Sequence, residues 1–224
     1  MTVTTSDLAY RDIRGMLTGG ELQPGQRLSQ SRLARQLGCS TVPIVEALRR
    51  LESEGLLVKQ ARKMARVRKL SSSDVEGLYL LREALETITA RLCAQRITSE
   101  EAQTLQTLAH AYEEAWQANE LESDADIAIH RHIAECARCP LLVEELNRYL
   151  LIERTAGRFR FNPATKPGHP HTHRAVVQAI VDHDIDAAGY MMKKHIQNGL
   201  QETLREFAGQ EKRPKRKPKT ESPT

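Results

Sequence analysis

Four side chains in the second half of the chain are of the types that bind transition metals: Asp126, His130, His173 and His195. Asp126 and His130 are four residues apart, so in a helix they project from the same face one turn apart. His173 and His195 lie 22 residues apart on two later predicted helices. One carboxylate and three imidazoles suit Zn, Ni, Mn or Fe and leave one or two coordination positions open. Because solvated helix faces often carry an Asp-x-x-x-His pair, the pair alone does not establish a site.

The elements that must position these side chains are predicted to be helices. From residue 71 onward the pattern is helical, and no segment alternates as a half-buried strand would. Ser73 to Glu76 and Thr98 to Glu101 both have the spacing of a capping box, which satisfies free amides at the start of a helix. The Pro- and Gly-rich residues 158–171 predict an irregular loop. Further helices are predicted at 123–137, 140–157, 172–182 and 184–208.

The first seventy residues have a different pattern, in which three short helices precede two strands. Hydrophobic residues with a helical period span 8–18, and a second short helix ends at Gly38. Ser40 is a good N-cap for a third helix, which has a proline in its first turn and ends at Gly55. This order of elements is that of a winged helix-turn-helix domain. The two strands, which enclose a basic loop, are predicted at 56–58 and 65–68.

Charge is distributed unevenly along the 224 residues, although the net charge is only +4. Residues 8–70 contain 13 Lys and Arg against 5 Asp and Glu, whereas residues 71–208 contain 14 against 21. A basic amino-terminal part on an acidic remainder indicates that the first part meets a polyanion. The last sixteen residues contain six Lys and Arg, three Pro and almost no apolar side chains, which predicts a disordered basic tail.

Composition argues against several classes of protein. No stretch approaches the roughly 18 consecutive apolar residues of a membrane span, and residues 1–20 lack the core of a signal peptide. We therefore expect a cytoplasmic protein, in which cysteines are reduced thiols. Only 4% of the residues are aromatic, which argues against large platforms for stacking bases. The four cysteines are Cys39, Cys93, Cys136 and Cys139.

Three ordered motifs in the first part of the chain resemble the GntR family of bacterial regulators. The resemblance covers about residues 8–207 and is to the subfamily with a helical FCD effector domain. It implies a mainly α protein with a winged helix-turn-helix domain at 1–70 and an all-α antiparallel helical bundle at 71–208. The predicted basic tail at 209–224 lies beyond the resemblance. The motifs are Gly20-x-Leu22-x-Pro24-Gly25-x-x-Leu28, Leu33-Ala34-x-x-Leu37-Gly38 and Pro43-x-x-Glu46-Ala47-Leu48-x-x-Leu51-Glu52-x-x-Gly55-Leu56.

The resemblance also implies roles for the metal set and for Arg82. In the FCD domain the second and third metal histidines have the separation of His173 and His195, so all four ligand positions are matched. The implied metal is divalent, with zinc as the first candidate and Ni, Mn or Fe as the others. Arg82 matches an arginine that points into the effector cavity, where it could clamp a small organic acid or sugar acid. The other interpretation of Arg82 is an exposed helix charge paired with Glu86.

Cys136 and Cys139 form a Cys-x-x-Cys pair just after the predicted metal helix. A redox dithiol or a thiolate zinc site is one interpretation of the pair. Ordinary buried thiols are the other, since there is no second pair and no thioredoxin-like βαβ context. In the family the position of Cys139 is more often Asn. A thiol near the cavity could change which effector binds, so Cys139 joins Arg82 as a predicted effector-binding residue.

The recognition helix departs from the family at positions that would read DNA bases. The family usually has arginines where this chain has Thr41 and Val45, and a glycine at the wing tip where it has Met64. Arginine reads guanine O6 and N7, whereas Thr and Val offer a hydroxyl or an apolar contact with a thymine methyl. The usual operator should therefore not be assumed. The predicted DNA contacts are Arg32, Ser40, Thr41, Val42, Val45, Arg49, Arg50, Arg62 and Lys63.

Together these features predict a homodimeric, metal-dependent transcriptional regulator, most simply a repressor, which binds a near-palindromic operator on the nucleoid and responds to a small acid. A metal-dependent hydrolase or lyase that uses the Asp and three His side chains is the alternative. No well-placed general base is evident, and an enzyme would have no use for the DNA-binding part. An architectural nucleoid protein is a third interpretation, and the acidic helical second part argues against it.

Overall fold

The computed structural model describes residues 3–59, 64–118, 123–157 and 173–211. The N-terminal domain has three helices and a small sheet, in the order predicted for a winged helix-turn-helix. Its elements in chain order are α1 Thr5–Gly19, β1 Arg27–Leu28, α2 Gln30–Gln36, α3 Thr41–Ser53, β2 Leu57–Lys59 and β3 Ala65–Val67.

Each helix of the N-terminal domain begins after a residue suited to that position. Thr4 and Asp7 form a capping box at the start of α1. At the start of α2, the Ser29 hydroxyl accepts a hydrogen bond from the backbone N–H of Arg32. Ser40 precedes α3 as predicted, but its side chain makes no capping hydrogen bond. The apolar faces of α1 and α3 meet in a core that contains Ile13, Leu17, Ile44, Leu48 and Leu51.

The sheet has three strands in the order β1-β3-β2, whereas the sequence predicts two. β2 and β3 form the antiparallel wing, and β1 adds Leu28 opposite Ala65 on the other side of β3. Two residues are too few to show the alternation by which a strand is recognised, so the sequence gives no signal for β1. The wing residues 60–63, which include the predicted DNA contacts Arg62 and Lys63, lie outside the described residues.

All regular structure described after Val67 is helical, which confirms the predicted fold class. The two longest helices, α4 and α9, pack against each other, and α6 and α8 pack on this pair. Among the described helices, none is both long enough and apolar enough to cross a membrane. The helices are α4 Ser72–Arg96, α5 Ser99–Ala118, α6 Ser123–Cys136, α7 Pro140–Ile152, α8 Arg174–Val181 and α9 Ile185–Glu211, with a π-helical turn, Glu153–Gly157, directly after α7.

The capping box of α4 lies two residues earlier than the sequence indicates. Ser71 and Asp74 form it, with the Ser71 amide donating to the Asp74 carboxylate and the Asp74 amide donating to the Ser71 hydroxyl. The predicted pair, Ser73 and Glu76, lies inside the helix, so that prediction is wrong. Both pairs have a Ser three residues before an acid, and spacing alone does not choose between them. The predicted box of α5 is present, since Thr98 exchanges these bonds with the acid three residues later.

The ends of two helices also differ from the predicted boundaries. The predicted helix 140–157 is α-helical only to Ile152, because the last turn winds as a π-helix. α9 continues to Glu211 and so runs past the predicted domain end at 208. Residues 158–172 and 212–224, which hold the predicted loop and most of the predicted basic tail, lie outside the described residues.

The two domains touch where α3 ends and α7 passes into the π-helical turn. Gly55 has a φ of +81°, and a Cβ added to it would lie 3.2 Å from Cδ1 of Ile152. Arg148 donates a hydrogen bond of 3.3 Å from Nη2 to the backbone carbonyl of Ser53. Arg68, which leads from the wing toward α4, donates from Nε to the Gly55 carbonyl at 2.5 Å. The C-terminal end of the recognition helix therefore rests directly on the helical domain.

Candidate metal centre and DNA-binding helix

Three helices bring the four predicted metal ligands together. Asp126 and His130 project from one face of α6, His173 is the residue directly before α8, and His195 lies on α9. The Nε2 atom of His130 is 3.3 Å from Nε2 of His173 and 3.3 Å from Nε2 of His195. Oδ1 of Asp126 is 3.2 Å from Nε2 of His173 and 3.7 Å from Nε2 of His130. All four ligand atoms lie within 4.8 Å of one another.

The spacing of these atoms fits one divalent ion. Zinc bound at about 2.0–2.1 Å in a tetrahedron holds its ligand atoms about 3.3 Å apart. The separations between neighbouring atoms here, 3.2–3.7 Å, scatter around that value. The side chains of His130 and His173 are almost fully buried, whereas that of Asp126 is 38% exposed. Two of the imidazoles are therefore enclosed, whereas His195 is half-buried and the Asp126 carboxylate reaches solvent.

A buried carboxylate fixes the orientation of the His130 ring. Nδ1 of His130 lies against Oε2 of Glu86, which projects from α4 and is 1% exposed. A metal-binding histidine commonly donates its second N–H to such a carboxylate, which leaves the other nitrogen free to bind the ion. The contact therefore assigns the proton to Nδ1 and aims Nε2 at the other three ligand atoms. The remaining oxygen of Glu86, Oε1, accepts a 2.7 Å hydrogen bond from Nε of Arg82.

The charges in this cluster shift the pKa values of its members strongly. Burial opposes a charge on His130, but Glu86 and Asp126 outweigh it and raise the pKa of His130 to about 9. Burial also opposes the charge of Asp126, yet His130 and His173 hold the pKa of that carboxyl well below its usual value. Burial lowers the pKa of His173. The metal-free His130 therefore keeps its second proton near neutral pH, and an ion bound at Nε2 would displace it.

Arg82 combines features of both interpretations made from the sequence. It is paired with Glu86, but it is only 4% exposed, so the interpretation as an exposed helix charge is wrong. Its Nη1 donates at 2.7 Å to Glu153, the first residue of the π-helical turn. The other oxygen of Glu153 accepts a 2.8 Å hydrogen bond from the Tyr79 hydroxyl. Burial works against the charge of Arg82, but Glu153 and Glu86 raise its pKa well above the usual value.

Cys139 lies beyond the end of the metal helix and is not a member of the four-residue cluster. It lies three residues after Cys136, where α6 ends, and directly precedes α7. All four cysteines are unbridged in the structure. Cys136 is buried, with Sγ 3.6 Å from Nε2 of His132. His132 is half-buried, and its ring bonds to the backbone carbonyl of Glu101 at 3.0 Å.

Helix α3 presents the predicted base-reading residues on the surface. Val42 is 65% exposed, Thr41 is exposed and Val45 is half-buried. Between them, Pro43 and Ile44 are buried and anchor the helix to the core. The remaining predicted DNA contacts in the described part of the chain, which are all exposed, are Arg32, Ser40, Arg49 and Arg50.

Contacts with α1 restrain two charged side chains of α3. Nη1 of Arg50 donates at 2.7 Å to Asp7, and its guanidinium stacks 4.0 Å from the centroid of the Tyr10 ring. Glu46 accepts a hydrogen bond from the Ser6 hydroxyl. Arg50 therefore holds α3 to α1, and its prediction as a DNA contact would require it to leave these partners or to bind a phosphate beside them.

Sequence reasoning does not identify two acidic residues of this network, Glu86 and Glu153. The sequence indicates Glu86 only as a local partner four residues from Arg82, because its contact with His130 joins residues 44 positions apart. Glu153 reaches Arg82 across 71 positions. Neither contact has a local pattern. The one available signal is that Glu86 lies among buried positions of α4, where an acid needs a partner.

Family comparisons cover almost the whole described chain. The model of the gntR family of bacterial regulatory proteins matches residues 5–67, and the model of the FCD domain matches residues 77–198. The chain therefore belongs to the gntR family, in the group that carries an FCD domain. The members of this family are transcriptional regulators and not enzymes.

Individual relatives agree with the family. A probable D-xylose utilization operon transcriptional repressor of Paenarthrobacter nicotinovorans is 26% identical over 212 residues, 93% of each chain. The uncharacterized HTH-type transcriptional regulator YdhC of Bacillus subtilis is 33% identical over 97 residues, which is only 43% of each chain. This chain therefore matches less than half the length of that relative. Among solved structures, E. coli McbR/YncC has a TM-score of 0.76 at 22% identity, covers 92% of this chain and 100% of its own, and shows the same fold.

Proposed function

We propose that this chain is a homodimeric repressor whose affinity for a near-palindromic operator depends on a divalent metal and on a small organic or sugar acid. The convergence of Asp126 and three histidine Nε2 atoms at metal-ligand spacing carries this proposal. An exposed α3 supports DNA binding, since the recognition helix of a helix-turn-helix contacts bases. The alternative, a hydrolase or lyase, has no support from a family of regulators.

Zinc is the first candidate metal, with Ni, Mn or Fe as the others. Asp126, His130, His173 and His195 would hold the ion, which supplies a Lewis-acid position for an oxygen of the acid. Glu86 keeps His130 in the tautomer that binds metal. A role for Cys139 in effector binding stays a prediction.

Arg82 is the side chain suited to the carboxylate of the effector. Its guanidinium is already bonded to Glu86 on its own helix and to Glu153 on the π-helical turn. Glu86 is held from both sides, by Arg82 and His130. A carboxylate that binds Arg82 therefore competes with Glu153 more readily than with Glu86. The effector would in this way release the start of the π-helical turn.

The π-helical turn connects this competition to the DNA-binding domain. Ile152 directly precedes Glu153 and contacts Gly55, which lies between α3 and β2. Arg148, one helical turn before Ile152, bonds to the last residue of α3, Ser53. Movement of this segment would change the support of α3 and with it the affinity for DNA. DNA binding would then change the affinity for the effector by the same factor by which the effector changes the affinity for DNA.

Apolar side chains at the surface of the helical domain support a homodimer. Leu80, Leu81 and Ile88 on α4 are 64%, 44% and 48% exposed, and Tyr190 on α9 is 57% exposed. A second copy that covers them would place two α3 helices on two half-sites.

Light scattering after gel filtration should give twice the chain mass. Leu80→Glu should shift the protein toward the monomer, and a monomeric wild type would refute this part of the proposal.

DNA selected from a random duplex pool by the zinc-loaded full chain provides the operator for the decisive test. Gel-shift titrations then compare the zinc-loaded and chelator-treated protein, with and without a panel of dicarboxylic, hydroxy and sugar acids. We expect metal removal to change operator affinity about tenfold or more, and at least one acid to change it further. His195→Ala should abolish both responses, whereas Leu141→Ala, at a 75% exposed position on α7, should keep them. Equal affinity under every condition would refute the metal and effector dependence.

A further inference from the structure

The part of α3 that would meet DNA bases is largely apolar. Thr41, Val42 and Val45 occupy the first turns of the helix, and Val42 and Val45 are three residues apart and so share a face. Val42 exposes 65% of its surface to solvent. An exposed valine contributes nothing to the core, whereas the buried Pro43 and Ile44 on the opposite side do. The N-terminal residues of a recognition helix are those that contact base edges.

Charged side chains of α3 are poorly placed to replace this apolar readout. Arg50 is bonded to Asp7 and stacked on Tyr10, and Glu46 is bonded to Ser6. Arg49 is exposed, but it lies seven residues, about two turns, after Val42. Arg49 therefore shares the face of Val42 but lies about 10 Å further along the helix, so it would meet another base pair or a phosphate and does not replace the contact of Val42.

We propose that each operator half-site is read through thymine, with the C5 methyl groups of thymines packed against Val42 and Val45. The proposal rests on the proposed DNA-binding function and adds the base that α3 selects. Thymine is the only base whose major-groove edge has a methyl group, so it is the base that an apolar side chain can distinguish. Thr41, beside Val42, offers a hydroxyl that can donate to thymine O4 or accept from adenine N6.

Replacement of single thymines by deoxyuridine tests the proposal directly, because it removes only the methyl group. The DNA is the duplex selected from a random pool by the full chain. We expect one or two thymines in each half-site at which deoxyuridine weakens binding about fourfold, as loss of one buried methyl group would. Deoxyuridine at unselected flanking thymines should have no effect.

Variants of α3 then identify the side chains that read the methyl groups. Val42→Ala should weaken binding to the thymine site about fourfold and should cause little further loss on the deoxyuridine site, since the contact is already gone. Val3→Ala is the matched control, because Val3 is equally exposed, at 66%, in the same domain but outside α3. Val45→Arg should shift the selected sequence toward guanine.

The outcomes separate this inference from the proposed function. Selection of guanine-rich half-sites that tolerate deoxyuridine would overturn thymine readout while DNA binding stands. A deoxyuridine effect that is unchanged in both Val42→Ala and Val45→Ala would also overturn it, because other groups would then read the methyl. Failure to enrich any sequence would overturn the DNA-binding function and this inference together. Since Val42 is exposed, its variant should melt at the wild-type temperature, and the deoxyuridine result needs no variant at all.

Discussion

Glu86→Gln should weaken metal binding without removing a metal ligand. The carboxylate uses one oxygen for Arg82 and the other for His130. Glutamine has a single acceptor oxygen, so it can satisfy only one of the two donors and must turn its NH₂ toward the other. The His130 ring then loses both its fixed orientation and the negative charge that favours its N–H.

The negative charge of Glu86 favours a cation on His130, whether a proton or a metal ion. Glu86 and Asp126, acting against burial, raise the pKa of His130 from the ordinary 6.5 to about 9. Loss of Glu86 should lower this pKa, so weaker competition from protons offsets part of the loss in metal affinity. Since a change of the carboxylate partner of a metal-binding histidine typically weakens metal affinity 10–100-fold, we expect about a tenfold loss near pH 7.

Competition with a chromophoric chelator measures the affinity for zinc and for nickel in the wild type and the variant. Glu83→Gln is the matched control, because Glu83 lies on the same helix but faces Lys193 and Gln197 on α9. It should bind metal like the wild type. Affinity of Glu86→Gln within twofold of wild type would refute the inference that Glu86 orients His130, provided that circular dichroism shows the variant folded.

In two further predictions, a loss of stability is compared with a second measurement that should not fall with it. Because the pKa of His130 is raised to about 9, the metal-free protein should lose about 2–3 kcal/mol of unfolding free energy as the pH rises from about 6.5 to about 9. Zinc affinity should rise over the same range, as fewer protons compete for the ligand; parallel pH slopes in denaturant melts and zinc titrations would contradict this. Gly55→Ala should lower the unfolding free energy by about 1–2 kcal/mol, since it places a Cβ at φ +81° and 3.2 Å from Ile152. Gly15→Ala, inside α1 with nothing within 4 Å of the added Cβ, should instead leave stability unchanged or raise it in the same thermal melts.

The sequence predicts those parts of the fold that are specified by neighbouring residues. Gly38 and Gly55 end their helices with positive φ, as their flanking patterns indicate, and Ser29 caps α2. Ser71 and Ser73 each lie three residues before an acid, so the sequence leaves the start of α4 ambiguous. Strand β1 has only two residues, which are too few to show the alternation of a strand. The π-helical turn after Ile152 has no pattern of its own, because a helical period continues through it.

The sequence likewise predicts only those parts of the candidate site that depend on residues close together in the chain. The spacing of Asp126 and His130 is a local feature of one helix, and the separation of His173 and His195 became informative only through the resemblance to the FCD domain. Distances of 3.2–3.7 Å between their ligand atoms are a property of packing among α6, α8 and α9, which no pattern within one helix encodes. Glu86 and Glu153, which contact His130 and Arg82, are therefore identified only from the three-dimensional structure.

Arg82 shows why pairing and burial must be considered together. A local interpretation treats an arginine four residues before a glutamate as a solvated helix pair, whose contribution to stability would be small. Packing of α4 against its neighbouring elements instead buries both side chains, so each charge needs a partner on both sides. Glu86 finds its second partner in His130, and Arg82 finds its second partner in Glu153. Side-chain contacts through Glu86 and Arg82 therefore connect His130 to Glu153, so we expect a change at the metal site to alter the hydrogen bonds of the segment that supports α3.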